Sequence, residues 1–249
     1  MSLYRDNAEL YDIAFDWDIE AVTDWLVDRL RARSVLEPGC GSGRILSALS
    51  KRGVEVVGLD NSAGMVAFAR RRLGEAALVV EADMTNFDLR RRFEGAVCPI
   101  NTLIHLTPDE LDRHLACMAR HLEPGARYLA QVGLIDPDRW EPFDGSHWQA
   151  TRGRTTLKVD WIDLDLDAAR GRSRQRSRIE VLEGDRAGEV IEEVHEMTAW
   201  TPETWAAAID ASPFTEVATY DGEKQHPIPR VDSTATGFLL WHELVCQRD

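Results

Sequence analysis

The run Val35-Leu36-Glu37-Pro38-Gly39-Cys40-Gly41-Ser42-Gly43-Arg44 limits what this chain can fold into more than any other stretch. Val35 and Leu36 end a buried strand, Glu37 follows, and glycine then falls at alternate positions. The apolar spacing of Ile45, Leu46, Ala48 and Leu49 starts a helix directly afterwards. Glycine permits the sharp turn, and its missing side chain lets a ligand lie against the peptide. A strand, such a turn and a helix N-terminus together make a nucleotide-type pocket. A glycine turn by itself is also ordinary loop punctuation, so the second strand matters. Glu55-Val56-Val57-Gly58-Leu59-Asp60 ends in a carboxylate near the spacing at which an acid meets ribose hydroxyls in βαβ units. A carboxylate accepts both O–H groups of a 2′,3′-diol, so charge and geometry agree. An Asp merely solvated at a strand end is the other reading.

Residues 4–30 read as two helical pieces, the second with an apolar stripe at Val22, Leu26 and Leu30. From residue 34, strands at 34–37, 54–59, 77–80, 95–100 and 126–133 alternate with helices near 43–52, 62–73 and 108–121. Leu122-Glu123-Pro124-Gly125 stops the last of these. The alternation predicts an α/β fold with a doubly wound, mostly parallel, seven-stranded Rossmann-like sheet. Right-handed crossovers then gather the loops at 37–43, 60–65, 82–85 and 99–106 around one crevice at the carboxyl ends of the strands. Beyond residue 150 the period changes to two, and segments 155–166, 177–182 and 190–197 read as a three-stranded antiparallel meander with one wet face. Thr201-Pro202 then opens a helix, and strands follow near 215–220 and 236–245. The chain 1–249 is therefore expected to be a single domain, with 151–200 an antiparallel insert before the last helix that forms a substrate lid. Segment 221–234, with Pro227 and Pro229, is expected to be an exposed loop or hairpin.

At 249 residues, 44% hydrophobic and 29% charged, the chain suits one large soluble domain. It has no apolar run that would span a bilayer, and Met1 to Asp6 lack the basic-then-apolar order of a signal peptide. Cys40, Cys98, Cys117 and Cys246 have no paired metal spacing and read as reduced thiols of a cytoplasmic protein. The net charge of −14 argues against a broad nucleic-acid surface and favours a neutral or cationic small substrate. Arg70-Arg71-Arg72 and Arg90-Arg91-Arg92 read as helix ends or solvated loops, and Arg170 to Arg178 as the exposed side of a hairpin. No cluster has metal-ligand spacing, and no Gly-x-Ser-x-Gly elbow points to covalent catalysis.

The acidic-x-Gly-x-Gly-x-Gly spacing of Glu37, Gly39, Gly41 and Gly43 resembles that of the class I methyltransferases that use S-adenosylmethionine. It differs from the Gly-x-Gly-x-x-Gly turn of dinucleotide dehydrogenases. The resemblance covers nearly the whole chain. Glu81-Ala82-Asp83-Met84 matches the family's segment after the third strand. Leu122-Glu123-Pro124-Gly125-Ala126 matches its turn before the fifth, with Ala126 where a second glycine is commoner. Within the family the chain is similar to small-molecule N-methyltransferases of the amino-sugar type. Ala8-Glu9-Leu10-Tyr11-Asp12 resembles the segment that closes over their cofactor, the stretch Cys98 to Leu106 resembles their loop after the fourth strand, and the insert lies where theirs does.

The resemblance implies S-adenosyl-L-methionine as cofactor. It implies methyl transfer to a small-molecule acceptor, at an amine nitrogen of a natural-product or sugar-like metabolite. O- or C-methylation, or a non-catalytic cofactor-binding protein, are the alternatives. It puts Glu37, Gly39, Cys40 and Gly41 around the methionine part, Asp60 and Asn61 at the ribose, and Ala82, Asp83 and Met84 at the adenine. Tyr4, Tyr11 and Ile100 close that site. Arg44 either pairs with the methionine carboxylate or caps outward, and Met65 either packs on the nucleoside or belongs to the core. In-line methyl transfer depends mainly on holding the reactants in line, and an amine must also lose a proton, for which histidine suits neutral pH. His105 is thus the candidate base or substrate anchor, unless it merely precedes the helix start at Thr107-Pro108. Tyr11 is the second catalytic candidate, with an ordinary amphipathic-helix aromatic as its other reading. Acceptor contacts are expected from Asn101 and from Trp140, His147 and Trp148; the rings of these last three either stack on a sugar or box a cation or fold onto the core. Trp161 and Trp200 are expected to pack within the insert. The expected partners are a small-molecule acceptor and, in a homodimer, a second copy of the chain; no nucleic acid, membrane or metal is expected.

Overall fold

The computed structural model describes residues 2–142, 145–229, 231, 236–237 and 239–247. The strands are β1 (Ser34–Pro38), β2 (Glu55–Asp60), β3 (Ala77–Glu81), β4 (Phe93–Cys98), β5 (Leu122–Gly133), β6 (Ser146–Arg152), β7 (Thr155–Asp167), β8 (Arg172–Glu183), β9 (Val190–Thr198), β10 (Phe214–Asp221) and β11 (Leu239–Cys246). They form a seven-stranded sheet in the order β10-β11-β5-β4-β1-β2-β3 and a four-stranded one in the order β6-β7-β8-β9. In the first sheet β1 to β5 run parallel, and β11 enters antiparallel between β5 and β10. The strand order reverses where β1 meets β4, which opens a crevice at their carboxyl ends.

β1 is buried at every position because helices cover both faces of the sheet. Val35, Val56 and Val97 face one core with Leu46 and Leu49; Leu36, Val57 and Cys98 face the other with Leu115 and Trp205. The helices are α1 (Leu3–Asp6), α2 (Ala8–Ala14), α3 (Glu20–Leu30), α4 (Arg44–Lys51), α5 (Ala63–Leu73), α6 (Pro108–His121) and α7 (Pro202–Asp210). α6 starts where Thr107-Pro108-Asp109-Glu110 predicts, with Thr107 and Glu110 in a reciprocal cap and Pro108 in the first turn.

Three features depart from the sequence expectations. The N-terminal segment forms three helices, because Asn7 leaves helical geometry at φ −130°. The insert has four strands: β6 alternates only between exposed and half-buried residues, so its pattern is weak, and its pairing with β7 defines it. Trp200 packs in the main core, 6.0 Å from Trp205, outside the insert sheet. Arg70, Arg71 and Arg72 fall in the last turn of α5, at a helix end as expected; from there Arg70 donates to Val79 O, and Arg72 bonds Ser42 and Asp12. Arg172, Arg174 and Arg178 lie on the hairpin as expected and pair with Glu196, Asp165 and Glu180. Of the segment 221–234, residues 221–229 form a turn bridged from Tyr220 to Pro227, while residues 230 and 232–234 lie outside the described residues. No helix among the described residues is long and apolar enough to cross a membrane.

One buried polar residue ties α6 to the crevice. His114 is 0% exposed. Its Nδ1 lies 2.9 Å from the Met84 carbonyl, which only accepts, so Nδ1 carries the proton. Its Nε2 then accepts from the Tyr128 hydroxyl at 2.9 Å. Burial pushes the His114 pKa down to about 4, with Met84 O opposing the shift. The unfolded chain therefore takes up a proton that the folded one refuses between about pH 6.5 and 4, and stability falls as pH falls through that window. We expect His114 to account for a loss on the order of 3 kcal/mol. Urea midpoints at pH 7 and 4 should differ accordingly, and His114→Gln should flatten the difference.

Candidate active site

A cavity of about 750 Å³ lies at the carboxyl ends of β1, β2 and β4. Its floor is the glycine loop, where Gly39, Gly41 and Gly43 hold φ of 65°, 51° and 75°, a region that disfavours other residues. A Cβ on Gly39 would stand 2.6 Å from Thr102 Cγ2, whereas one on Gly41 would meet nothing nearer than the Tyr11 ring at 3.9 Å. The loop is thus closed at Gly39 and open to the cavity at Gly41.

Asp60 borders the loop. Its Oδ2 accepts the Gly41 N–H at 2.9 Å and its Oδ1 the Ser62 N–H at 2.8 Å. Each oxygen keeps a second lone pair. Burial raises the Asp60 pKa, and the two N–H groups counter only part of that. Glu37 lies deeper, 3% exposed, and its Oε2 finds no partner among the described residues. Burial raises its pKa well above the carboxylate range, the Leu46 N–H opposes, and the Asp60 charge adds to the rise.

The loop after β4 turns sharply. Ile100 and Asn101 take φ of 54° and 57°, strained for any L residue and most for a β-branched one. Hydrogen bonds hold the strain: Gln131 Oε1 accepts the Ile100 N–H, and Asn101 Oδ1 accepts the Gly133 N–H, both at 2.8 Å. The 3₁₀ turn Thr102–His105 follows and carries His105 to the cavity. His105 is accessible to cavity water, yet the protein packed around it, and then His195, push its pKa down to about 4. The depression is fullest once a ligand displaces that water; with or without it, the ring is neutral at pH 7.

The N-terminal segment is clamped over one side. Tyr4 O accepts the Ser62 hydroxyl at 2.8 Å, and Glu193 on β9 accepts the Leu3 N–H at 2.8 Å. A Cβ on Gly64 would come within 2.3 Å of Arg5 O, so the segment passes this closely only over glycine. Asp12 is the hub, 0% exposed. It accepts from Ser42 Oγ in the glycine loop at 2.6 Å, from Arg72 on α5 at 2.5 Å and from Arg152 on β6 at 2.5 Å. Burial would raise its pKa, but those partners outweigh it and hold the carboxyl below its ordinary value. The Tyr4 and Tyr11 rings lie 5.5 Å apart, and burial pushes Tyr11 up to about 12, so its hydroxyl stays protonated.

Of the residues singled out from sequence, Tyr4, Tyr11, Gly39, Gly41, Asp60, Asn61 and Met65 line the cavity. So do Ala82, Met84, Ile100, Asn101, His105 and Trp148. Met65 is also core, 1% exposed, and Trp148 Nε1 donates to Ala14 O at 2.7 Å. The others lie off the cavity wall. Glu37 and Cys40 are buried behind the loop. Arg44 donates to Trp17 O at 2.5 Å. Asp83 Oδ1 accepts from the Thr85 N–H and hydroxyl. His147 Nδ1 pairs with Asp160 at 2.7 Å, and Trp140 is half-buried outside the lining.

Sequence reasoning missed Phe15, Trp17, Gln175, Glu193 and His195 on the wall; Trp161 packs against the insert's apolar residues as expected and lines the cavity as well. A signal was present in the parity of the insert strands. Positions 157 and 159, 179 and 181, and 191 are apolar and buried, and residues of the same parity further along turn polar or amphipathic at Trp161, Ser177, Gln175, Glu193 and His195. An inward face that loses its apolar character midway has a polar neighbour there.

A family model described as a methyltransferase domain matches residues 35–125. The dTDP-3-amino-3,4,6-trideoxy-alpha-D-glucopyranose N,N-dimethyltransferase of Streptomyces venezuelae is 30% identical over 72% of this chain and 72% of its own length. The dTDP-3-amino-3,6-dideoxy-alpha-D-glucopyranose N,N-dimethyltransferase of Streptomyces fradiae is 32% identical over 82% of each. Among solved structures, Streptomyces venezuelae DesVI superposes with a TM-score of 0.80 at 23% identity, covering 98% of this chain and 99% of the other. The S-adenosylmethionine-bound amino pentose methyltransferase CalS10 of Micromonospora echinaspora gives 0.74 at 22% identity, covering 98% of each. With the glycine loop and crevice above and two relatives at this identity and coverage, the chain belongs to the class I S-adenosylmethionine-dependent methyltransferases.

Proposed function

We propose that this enzyme methylates an amine nitrogen of a small natural-product or sugar-like metabolite. The observation that carries the reading is the placement of the His105 imidazole on the same cavity as the glycine loop. S-Adenosylmethionine, when bound, supplies an electrophilic methyl on a sulfonium that leaves as a neutral thioether. The residues present fit that molecule: the two Asp60 oxygens are oriented by backbone N–H groups and suited to a diol, and the open backbone at Gly41 leaves room for the methionine part, with Glu37 buried behind it. We assign Gly39, Gly41 and Glu37 to the methionine part, Asp60 to the ribose, and the Asp83-Met84 turn to the adenine. The insert, through Trp148 and its neighbours, covers the acceptor side.

A neutral His105 accepts an N–H from the acceptor amine and leaves the nitrogen lone pair for the methyl group. A base this weak does not ionise a hydroxyl, a far weaker acid than an ammonium, and this favours nitrogen over oxygen. The two relatives named as amino-sugar N,N-dimethyltransferases agree with the same reading. Tyr11, protonated at all working pH, supplies a hydroxyl and a ring beside the reacting groups.

His105→Ala should slow turnover about 10²-fold while cofactor affinity by calorimetry stays within about twofold. Because His105 is held neutral down to about pH 4 once ligands cover it, wild-type kcat, which reports the enzyme–substrate complex, should rise with pH toward the amine's own pKa without an inflection near 6.5. Wild-type rates in the alanine variant would remove His105 from the mechanism.

A further inference from the structure

The inner face of the insert sheet is organised in rows across its strands. One row is Trp148, Val159, Ile179 and Ile191. The next is Ser146, Trp161, Ser177 and Glu193, and the one beyond is Asp163, Gln175 and His195. The first packs with the apolar residues of α1 and α2, such as Leu3, Leu10 and Ile13. The other two reach the cavity, with Trp161, Gln175, Glu193 and His195 on its wall.

Those two rows are locked together. The Trp161 and His195 rings lie parallel, 1° apart in plane and 5.1 Å between centroids. Trp161 Nε1 donates to Gln175 Oε1 at 3.0 Å, and Gln175 Nε2 donates to Asp163 Oδ1 at 2.9 Å. His195 Nε2 and Ser177 Oγ are 2.8 Å apart, with Ser177 2% exposed. Burial lowers the His195 pKa, so the ring is neutral at pH 7. The aromatic surface continues to Tyr4, 5.7 Å from His195, and to His105, 6.5 Å away.

We infer that Trp161 and His195, braced by Gln175 and Ser177, form the platform on which the ring of a polyhydroxylated cyclic amine rests, and that this platform sets acceptor specificity. A rigid aromatic pair buries the apolar C–H face of a saturated ring, at little entropic cost because hydrogen bonds already fix both side chains. Gln175 and His195 offer polar edges to ring hydroxyls, which otherwise lose water unpaired. The Glu193 carboxylate on the same wall attracts an ammonium-bearing molecule. An acyclic amine lacks the flat apolar face and gains least. Trp161 and His195 touch the acceptor; Ser177, which lies beneath, is a positioning residue acting through His195.

The inference rests on the amine-methylation reading and names its substrate class. The probe is dTDP-3-amino-3,6-dideoxy-α-D-glucopyranose, titrated by tryptophan fluorescence against wild type, Trp161→Ala, Trp161→Phe and Ser177→Ala, each saturated with S-adenosylhomocysteine. Calorimetry with S-adenosylhomocysteine alone checks that each variant is folded. Trp161→Ala should weaken probe binding and raise KM at least about tenfold, with kcat and cofactor affinity within about twofold. Trp161→Phe, which keeps a ring, should recover most of the loss. Ser177→Ala should raise KM less and shift its pH dependence, because it frees His195 Nε2. A wild type that methylates the probe at nitrogen, with Trp161→Ala unchanged in KM, overturns the platform and leaves N-methylation standing. A wild type that neither binds nor methylates the probe, yet methylates an acyclic amine, overturns the platform and leaves N-methylation standing; one that methylates the probe at oxygen overturns the nitrogen reading.

Discussion

Replacing Asp12 by alanine should cost about 3 kcal/mol of stability and release the N-terminal segment from the cavity. The carboxyl is fully buried and is shared by Arg72 and Arg152, whose side chains keep 21% and 37% exposure. Removing one partner of a buried ion pair costs about 3–5 kcal/mol, because the remaining charges stay desolvated. The arginines here recover some water, so the lower end applies. Three connections fail together: α2 loses the Ser42 hydroxyl of the glycine loop, Arg72 of α5 and Arg152 of β6. The urea midpoint should fall, the first fifteen residues should become sensitive to protease, and cofactor affinity should drop at least about tenfold. Asp12→Asn, which keeps an acceptor for Ser42 but not the charge, should fall between the two. The carboxyl is held below its ordinary pKa, so the stability it adds is present above the unfolded value, near 4, and is lost as pH falls through the folded one. A variant with wild-type protease resistance and cofactor affinity would show that the hub does not hold the segment.

The second large effect is expected at the cofactor. Asp60→Ala should weaken S-adenosylmethionine binding by about 1.5–3 kcal/mol, the range for a hydrogen bond to a charged group, or roughly 10- to 150-fold. Under the ribose assignment two losses combine: the carboxylate no longer meets the diol, and the Gly41 and Ser62 N–H groups lose their acceptor. Asp60→Asn keeps one acceptor oxygen and should lose less. Calorimetry with S-adenosylhomocysteine reads both, and unchanged affinity in the alanine variant would reject the ribose assignment.

The glycine-loop half of the cavity was legible because its logic is local. Glu37 to Gly43 is one turn, and strand period, glycine placement and the acid ending β2 are each properties of a few consecutive residues. Asp60 meets Gly41 because β1 and β2 pair in register, Glu37 opposite Gly58, as a βαβ unit requires. His105 was reachable by the same route, as a residue just past β4. The strain at Ile100 and Asn101 was not, since nothing in those side chains announces a positive φ; Gln131 and Gly133, about thirty positions on, impose it.

The sequence by itself determined the doubly wound sheet, the glycine turn, the acid beside it and the existence of an antiparallel insert, since each follows from periodicity or from backbone permissions that a residue carries with it. Tertiary structure alone decided the wall that the insert gives the cavity. Alternation tells which residues of β7, β8 and β9 share a face, but only strand register sets Trp161 beside Ser177 and Gln175 beside His195. Only packing decides that this face meets the cavity and not water. Asp12 and its arginines, 60 and 140 residues apart, make the same point: a charge in sequence is a solvated side chain until the fold brings its counter-charges to it.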